Sequence, residues 1–169
     1  MRVRLCRAFL SDYRDKDTNK LVFVGRCNIG AISLNLPMIF MQAKEEKKDF
    51  FDVLDYYLEM IRKLLFNRYE YVGKAKASSN PLMFTQGGAY KGYLKPDEEI
   101  SLIMESWTAS FGITALNELQ VLYNGKRLSE DNSFCLKVMN HINKKVDEYK
   151  LKDGKLYAIY NTPKLCGWV

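Results

Sequence analysis

The sequence predicts an α/β fold, on three observations. Runs rich in β-branched and apolar residues lie toward both ends, amphipathic helical stripes lie between them, and no linker or internal repeat divides the chain. The order reads strand, helix, loop, helix, helix, strand. At 169 residues the chain can bury roughly two thirds of the surface it exposes when unfolded, so one domain, 1–169, is expected. Hydrophobic residues make up 47% and charged residues 27%, without low-complexity tracts, which excludes disordered and fibrous classes.

Residues 12–20 (DYRDKDTNK) are polar and rich in Asp, Asn and Thr, which predicts an exposed turn joining two extended arms as a hairpin. The second arm begins at Leu21 (LVFVG) and continues through Ile29 to Leu36, where Pro37 ends the ladder. Its near-continuous apolar character predicts a strand buried on both faces, as in a parallel or barrel sheet. Asp49 then offers a helix cap, and Phe50, Leu54, Tyr57, Leu58, Ile61, Leu64 and Leu65 recur at the helical period.

Residues 77–96, with SSNP and QGG, read as a loop region with room for one short strand. A shorter helix is expected over 113–123, stopping at Asn124-Gly125. Ser129 is placed to cap a third helix, in which Cys135, Val138, Met139, Ile142, Val146 and Tyr149 form one stripe. Asp153-Gly154 closes it, and 156–160 (LYAIY) is a short strand followed at once by Asn161-Thr162-Pro163.

The net charge of +6 is spread along the chain rather than gathered in a block. It fits an anionic partner, whether nucleotide, nucleic acid or acidic surface, and equally a solvated basic face. The four cysteines, Cys6, Cys27, Cys135 and Cys166, contain no CxxC, so a zinc knuckle or thioredoxin-type motif is not expected and a reducing compartment is. Arg7 interrupts the N-terminal MRVRLCRAFL before a signal-peptide core forms, and no run approaches the roughly 18 apolar residues of a membrane span. The expected setting is cytoplasmic, with no membrane partner.

Four positions can carry chemistry or resemble ones that do. Cys6 has Arg2, Arg4 and Arg7 close in sequence, which favours a thiolate if these side chains converge; alone, such a cysteine is more often a minor core or surface residue. Asn28-Ile29-Gly30 sits where one extended run gives way to another, so Gly30 can bend the backbone and Asn28 can point an amide inward. Spacing alone favours the blander alternative, a β-bulge stabilised by its own amide. Thr162-Pro163 follows directly on a strand, where a hydroxyl and free backbone amides can hold phosphate or simply end the strand in a turn. Thr85-Gln86-Gly87-Gly88 lacks both the Walker and the Rossmann spacing and reads as a turn. His141 reads as a helix-surface residue without a partner motif, and no metal constellation is present.

Six segments in one register resemble class III, or anaerobic, ribonucleoside-triphosphate reductases of the phage and bacterial type. They are CRAFLS at 6–11, VGRCNIGAISLNLP at 24–37, DFFDVLDYYLEMIRK at 49–63, NPLMFTQGGAYKG at 80–92, SFGITALNELQVLYNGK at 110–126 and LYAIYNTP at 156–163. The resemblance implies part of a ten-stranded α/β barrel with a finger loop, the finger region covering about residues 1–27. It implies that Cys6 is the finger-tip cysteine that becomes a thiyl radical and removes the ribose 3′ hydrogen. Asn28 would be the asparagine that hydrogen-bonds the ribose, reversing the preference for a bulge alone. Thr162 and Pro163 match the start of a loop near the substrate phosphates, although Asn161 replaces the usual glycine and the following residues depart from the pattern.

The resemblance further implies a glycyl radical, formate as reductant and a zinc site, each borne by or acting on segments with no match here. It also implies nucleoside triphosphate substrates, dNTP and ATP effectors, a radical-SAM iron–sulfur activating enzyme and a homodimer. The chain ends LCGWV soon after a strand and begins almost at Cys6, so both ends look cut from a longer enzyme. Such an internal segment is expected to be inactive alone. Two rival expectations are a non-catalytic remnant or interaction piece, and a small basic nucleic-acid-binding protein, which the charge and eleven tyrosines would suit.

Overall fold

The computed structural model describes residues 10–87 and 93–161. Three parallel strands form one sheet in the order β1 (Asn28–Asn35), β2 (Thr108–Thr114), β3 (Leu156–Asn161). Between β1 and β2 run α1 (Leu36–Glu45), α2 (Phe50–Gly73) and the single turn α3 (Pro81–Phe84). Between β2 and β3 run α4 (Leu116–Asn124) and α5 (Ser133–Asp153). Parallel neighbours need such crossovers, and the predicted α/β class is therefore observed.

The two long helices follow from local signals. Asp49 caps α2, its carboxylate accepting from Phe51 N at 2.8 Å, and the stripe Leu54, Leu58, Ile61, Leu65 and Tyr69 is buried. Leu64, expected in that stripe, is instead exposed. In α5 the stripe Cys135, Val138, Ile142, Val146 and Tyr149 is buried as expected, and Gly154 closes the helix at φ 61°. Its start differs: Asn132, not Ser129, precedes the first turn without a side-chain cap. The buried Gln120 of α4 accepts from Cys135 N at 3.3 Å and does the capping from a neighbouring helix.

The strands depart further from expectation. Residues 12–20 do turn back on themselves, with Asp15 Oδ1 accepting from Thr18 N at 2.9 Å, but among the described residues the arms meet only at the Arg14–Leu21 bridge. Leu21, Phe23 and Val24 are exposed, so the strand begins at Asn28. Pro37 does more than end a ladder. It stands in the first turn of α1, where its missing N–H costs nothing, and Asn35 caps that turn by accepting from Met38 N at 3.3 Å.

The strand buried on both faces is β2 rather than β1, with every residue from Thr108 to Ile113 buried. The sequence predicts no element over residues 97–112 and a helix from Ile113. Ile113 belongs to β2, Ala115 turns the chain at φ 62°, and α4 follows. A middle strand covered on both sides lacks the alternation that marks a half-exposed one, and Ser110 and Gly112 further mute its β-character.

Phe111 anchors the helix side of the sheet, its ring 6.1 Å from Tyr149 of α5 and 5.6 Å from Tyr157 of β3. Arg62 of α2 then ties α5 down, with Nε 2.9 Å and Nη2 2.5 Å from the Asp153 carboxylate, while Tyr157 OH donates to the same group at 2.8 Å. That carboxylate holds Arg62 still more firmly in its charged form.

Candidate functional site

Strand alternation and the observed register sort the sheet into two faces. Ile32, Leu34, Phe111, Ile113, Tyr157 and Ile159 belong to the helix-covered face. Ala31 and Ser33, Ser110 and Gly112, Ala158 and Tyr160 share the other, which is therefore lined with small and hydroxyl side chains. Ser33, Gly112 and Tyr160 lie in one row across the strands. Because Gly112 has no side chain, Ser33 Oγ and Tyr160 OH come within 3.4 Å of each other above the middle strand.

Asn28 stands at the other end of this face. The register slips between Asn28 and Gly30, leaving Ile29 as the extra residue of a β-bulge. Asn28 Oδ1 accepts from Gly30 N at 3.0 Å, and its Nδ2 donates to Ser110 Oγ at 2.5 Å. The bulge expected from the sequence is observed, stabilised by its own amide, and the same amide also reaches a fully buried hydroxyl on β2. Gly30 sits at φ 148°, and a Cβ there would collide with the Arg68 guanidinium of α2. Thr108, the register partner of Asn28, is fully buried, and its Oγ1 has no hydrogen-bond partner among the described residues.

Residues 10–27 are tied to this same end. Cys27 O accepts from Thr108 N at 2.8 Å, Trp107 Nε1 donates to Gly25 O at 3.2 Å, and Ser11 Oγ donates to Tyr157 O at 2.5 Å. Arg26 donates from Nε to Ser106 O at 3.1 Å and from its terminal nitrogen to Ser11 O. Tyr69 of α2 reaches in from the helix layer, its hydroxyl 2.7 Å from Trp107 O and 2.9 Å from Leu156 O, and burial pushes its phenol well above the usual value.

The remaining sequence candidates fall elsewhere. Cys6, Thr162, Pro163 and Cys166 lie outside the described residues. Asn28 pairs through Thr108 to Leu156, whereas the last β3 residue, Asn161, pairs with Ile113. The start of β1 and the end of β3 are therefore at opposite ends of the sheet, separated by about 17 Å at some 3.3 Å per residue. Thr85 to Gly87 do form a turn after α3, with Gly87 at φ 72°.

His141 does have a partner. Its Nε2 is 2.5 Å from Asp55 Oδ1, Lys145 Nζ is 2.8 Å from Asp55 Oδ2, and the imidazole lies 4.9 Å from the Phe51 ring. This trio joins α2 to α5, remote from the polar sheet face, and no spacing could have disclosed it because Asp55 and His141 are 86 residues apart. Cys27 and Cys135 are free thiols, and burial pushes the Cys135 thiol up. Among the described residues no group of three His, Cys, Asp or Glu can hold a metal, and no helix is long and apolar enough to cross a membrane.

Comparison with known proteins identifies the family. A family model described as anaerobic ribonucleoside-triphosphate reductase matches residues 1–164. The chain is 31% identical over 164 residues to a protein of that name from Haemophilus influenzae, covering 94% of this chain and 23% of the relative. It is 29% identical to the Escherichia coli protein, with the same coverage, and 25% identical to the one from Enterobacteria phage T4, covering 26% of that relative. The chain thus spans about a quarter of the length of the curated relatives it matches. With a match running from residue 1 to residue 164, this chain belongs to the anaerobic ribonucleoside-triphosphate reductase family.

Proposed function

We propose that this chain supplies the thiyl cysteine and the ribose-facing sheet of an enzyme that reduces ribonucleoside triphosphates to deoxyribonucleotides. Cys6 is the hydrogen-abstracting residue: its thiyl sulfur takes the ribose 3′ hydrogen, forming an S–H bond and a carbon-centred radical. The 2′ hydroxyl then takes up a proton and leaves as water, formate gives up two electrons and a proton and departs as carbon dioxide, and the Cys6 S–H returns its hydrogen to C3′, regenerating the thiyl radical. Asn28 binds the ribose hydroxyls through its amide, which has donors and acceptors on one plane. Thr162 contributes to phosphate binding just beyond the end of β3, a position α/β sheets commonly give to ligand-contacting groups.

The observation that carries this reading is the Asn28 amide, held from both ends on the small, hydroxyl-lined face of the sheet. Family membership supports the chemistry. In this reading the three strands are part of a ten-stranded barrel, residues 1–27 form its finger region, and β1 and β3 pair with further strands, since open edges are a liability. A glycyl radical supplies the oxidising equivalent when present. The described residues offer no zinc ligand set, so no step is assigned to that metal. The expected partners are dNTP and ATP effectors, a radical-SAM iron–sulfur activating enzyme and a second copy in a homodimer, in a cytoplasmic setting.

The test places this 169-residue sequence into the full-length Escherichia coli relative, in place of the span it matches, and measures nucleotide reduction after activation. The chimera is expected to turn over, and Cys6→Ala to abolish turnover. Equal turnover with Cys6→Ala would sink the assignment of Cys6.

A further inference from the structure

We propose that Ser110 is a positioning residue for Asn28, setting the direction in which that amide meets the ribose. The inference rests on the reading of Asn28 as the ribose-binding residue. Ser110 is fully buried on the middle strand, and its hydroxyl accepts from Asn28 Nδ2 at 2.5 Å across 82 residues of sequence. At the opposite end of the amide, Gly30 N–H donates to Oδ1 at 3.0 Å.

These two contacts do different work. Flipping the amide would bring its NH2 against the Gly30 N–H, donor against donor, so Gly30 decides which end is which. Ser110 fixes where the plane sits, because it lies on the neighbouring strand rather than on the bulge itself. The Gly30 contact lies within the bulge that carries Asn28, whereas the Ser110 contact anchors the amide to the neighbouring strand. An amide already aimed before substrate arrives loses less entropy on binding, and small misplacements at a reacting centre carry large rate penalties. The neighbours of Ser110 in register are Ala31 and Ala158, so its hydroxyl meets no competing side chain in its row.

In the activated chimera, Ser110→Ala is expected to lower kcat about tenfold and to leave KM within about twofold, the signature of an interaction that matters in the transition state. Ser110→Thr keeps the hydroxyl in a row whose register neighbours are both alanines, and is expected to restore most of the rate. In an Asn28→Ala background, Ser110→Ala is expected to have no further effect, because a residue acting only through another has nothing left to act on. If Asn28→Ala cuts turnover while Ser110→Ala does not, the positioning role fails and the reading of Asn28 stands. If Ser110→Ala is just as damaging in the Asn28→Ala background, Ser110 acts by another route and the inference fails. Silence of both single variants overturns the reading of Asn28 itself.

A measurement on the 169-residue chain decides the matter without turnover. The side-chain amide proton pair of Asn28, identified by its disappearance in Asn28→Ala, should move in the NMR spectrum of Ser110→Ala and return in Ser110→Thr. An unmoved pair overturns the inference.

Discussion

Ser33 and Tyr160 belong to the two outer strands, yet their hydroxyl oxygens lie 3.4 Å apart, directly over Gly112 of the strand between them. Adjacent strands stand roughly 4.8 Å apart, so side chains two strands away meet only where the middle residue leaves room. Gly112 leaves that room, and the row Ser33, Gly112, Tyr160 becomes a hydroxyl bridge across the polar face.

Gly112→Ala removes that room. Its methyl would collide with Ser33 Oγ and lie 3.1 Å from the Ser33 Cα, so backbone as well as side chain must yield. The expected loss is about 1–3 kcal/mol, the usual cost of overpacking. Urea unfolding measures it, and Ser33→Gly in the same chain should recover part of the loss.

Asp153 accepts from Arg62 and from Tyr157, and its side chain is 3% exposed beside an Arg62 that is 13% exposed. Asp153→Ala leaves the Tyr157 phenol without its acceptor and leaves the Arg62 guanidinium with Glu59 alone, 2.6 Å away. A loss of about 1–3 kcal/mol is expected, the usual cost of removing a buried acceptor from its donors. Guanidinium unfolding at fixed pH is the measurement; a loss below about 1 kcal/mol would mean the pair is worth no more than a surface bridge.

Asp55 responds to acid. Burial pushes its carboxyl up, but hydrogen bonds from Lys145 and His141 outweigh burial and hold it below the ordinary value. A lowered folded-state value means the stabilisation is complete above the unfolded carboxylate range, near pH 4, and is lost as pH falls through the folded value. Asp55→Asn should therefore lower stability at neutral pH and reduce the acid-induced loss. Melting temperatures of both proteins across the acid range would show the two curves converging.

Tyr149 responds to base. Burial, aided by the charges of Glu59 and Asp55, pushes its phenol up to about 12. Its contribution to stability is full below the unfolded value, near pH 10, and disappears as pH rises toward about 12. Phenolate absorbance should show a slow-titrating fraction in the folded chain that is reduced in Tyr149→Phe, whose stability should fall less steeply above about pH 10.

Asp49→Ala removes the carboxylate that accepts from Phe51 N at the start of α2. The expected loss is about 1 kcal/mol, typical of an N-cap, with Asp49→Ser retaining most of the stability. Thermal unfolding followed by circular dichroism reads it directly.

What could be read from sequence was what short segments encode. The stripes of α2 and α5, the caps at Asp49 and Gly154, the turn at 12–20 and the strand at 156–160 are patterns of neighbours within a few residues, where helix and strand periods differ. The family too was legible, because its motifs are contiguous runs. Asn28 and the bulge at Gly30 were singled out for the same reason.

Only the tertiary structure decided that β2 is the covered middle strand, that β1 starts after residues 21–27 rather than at Leu21, and that α1 begins at Leu36. It alone gave Asn28 its partner Ser110, 82 residues away, and His141 its partner Asp55, 86 residues away; it also joined Ser33 to Tyr160 across 127 residues. Parallel strands are neighbours in space only after long crossovers have packed. The contacts that aim the site side chains therefore leave no trace at any local spacing.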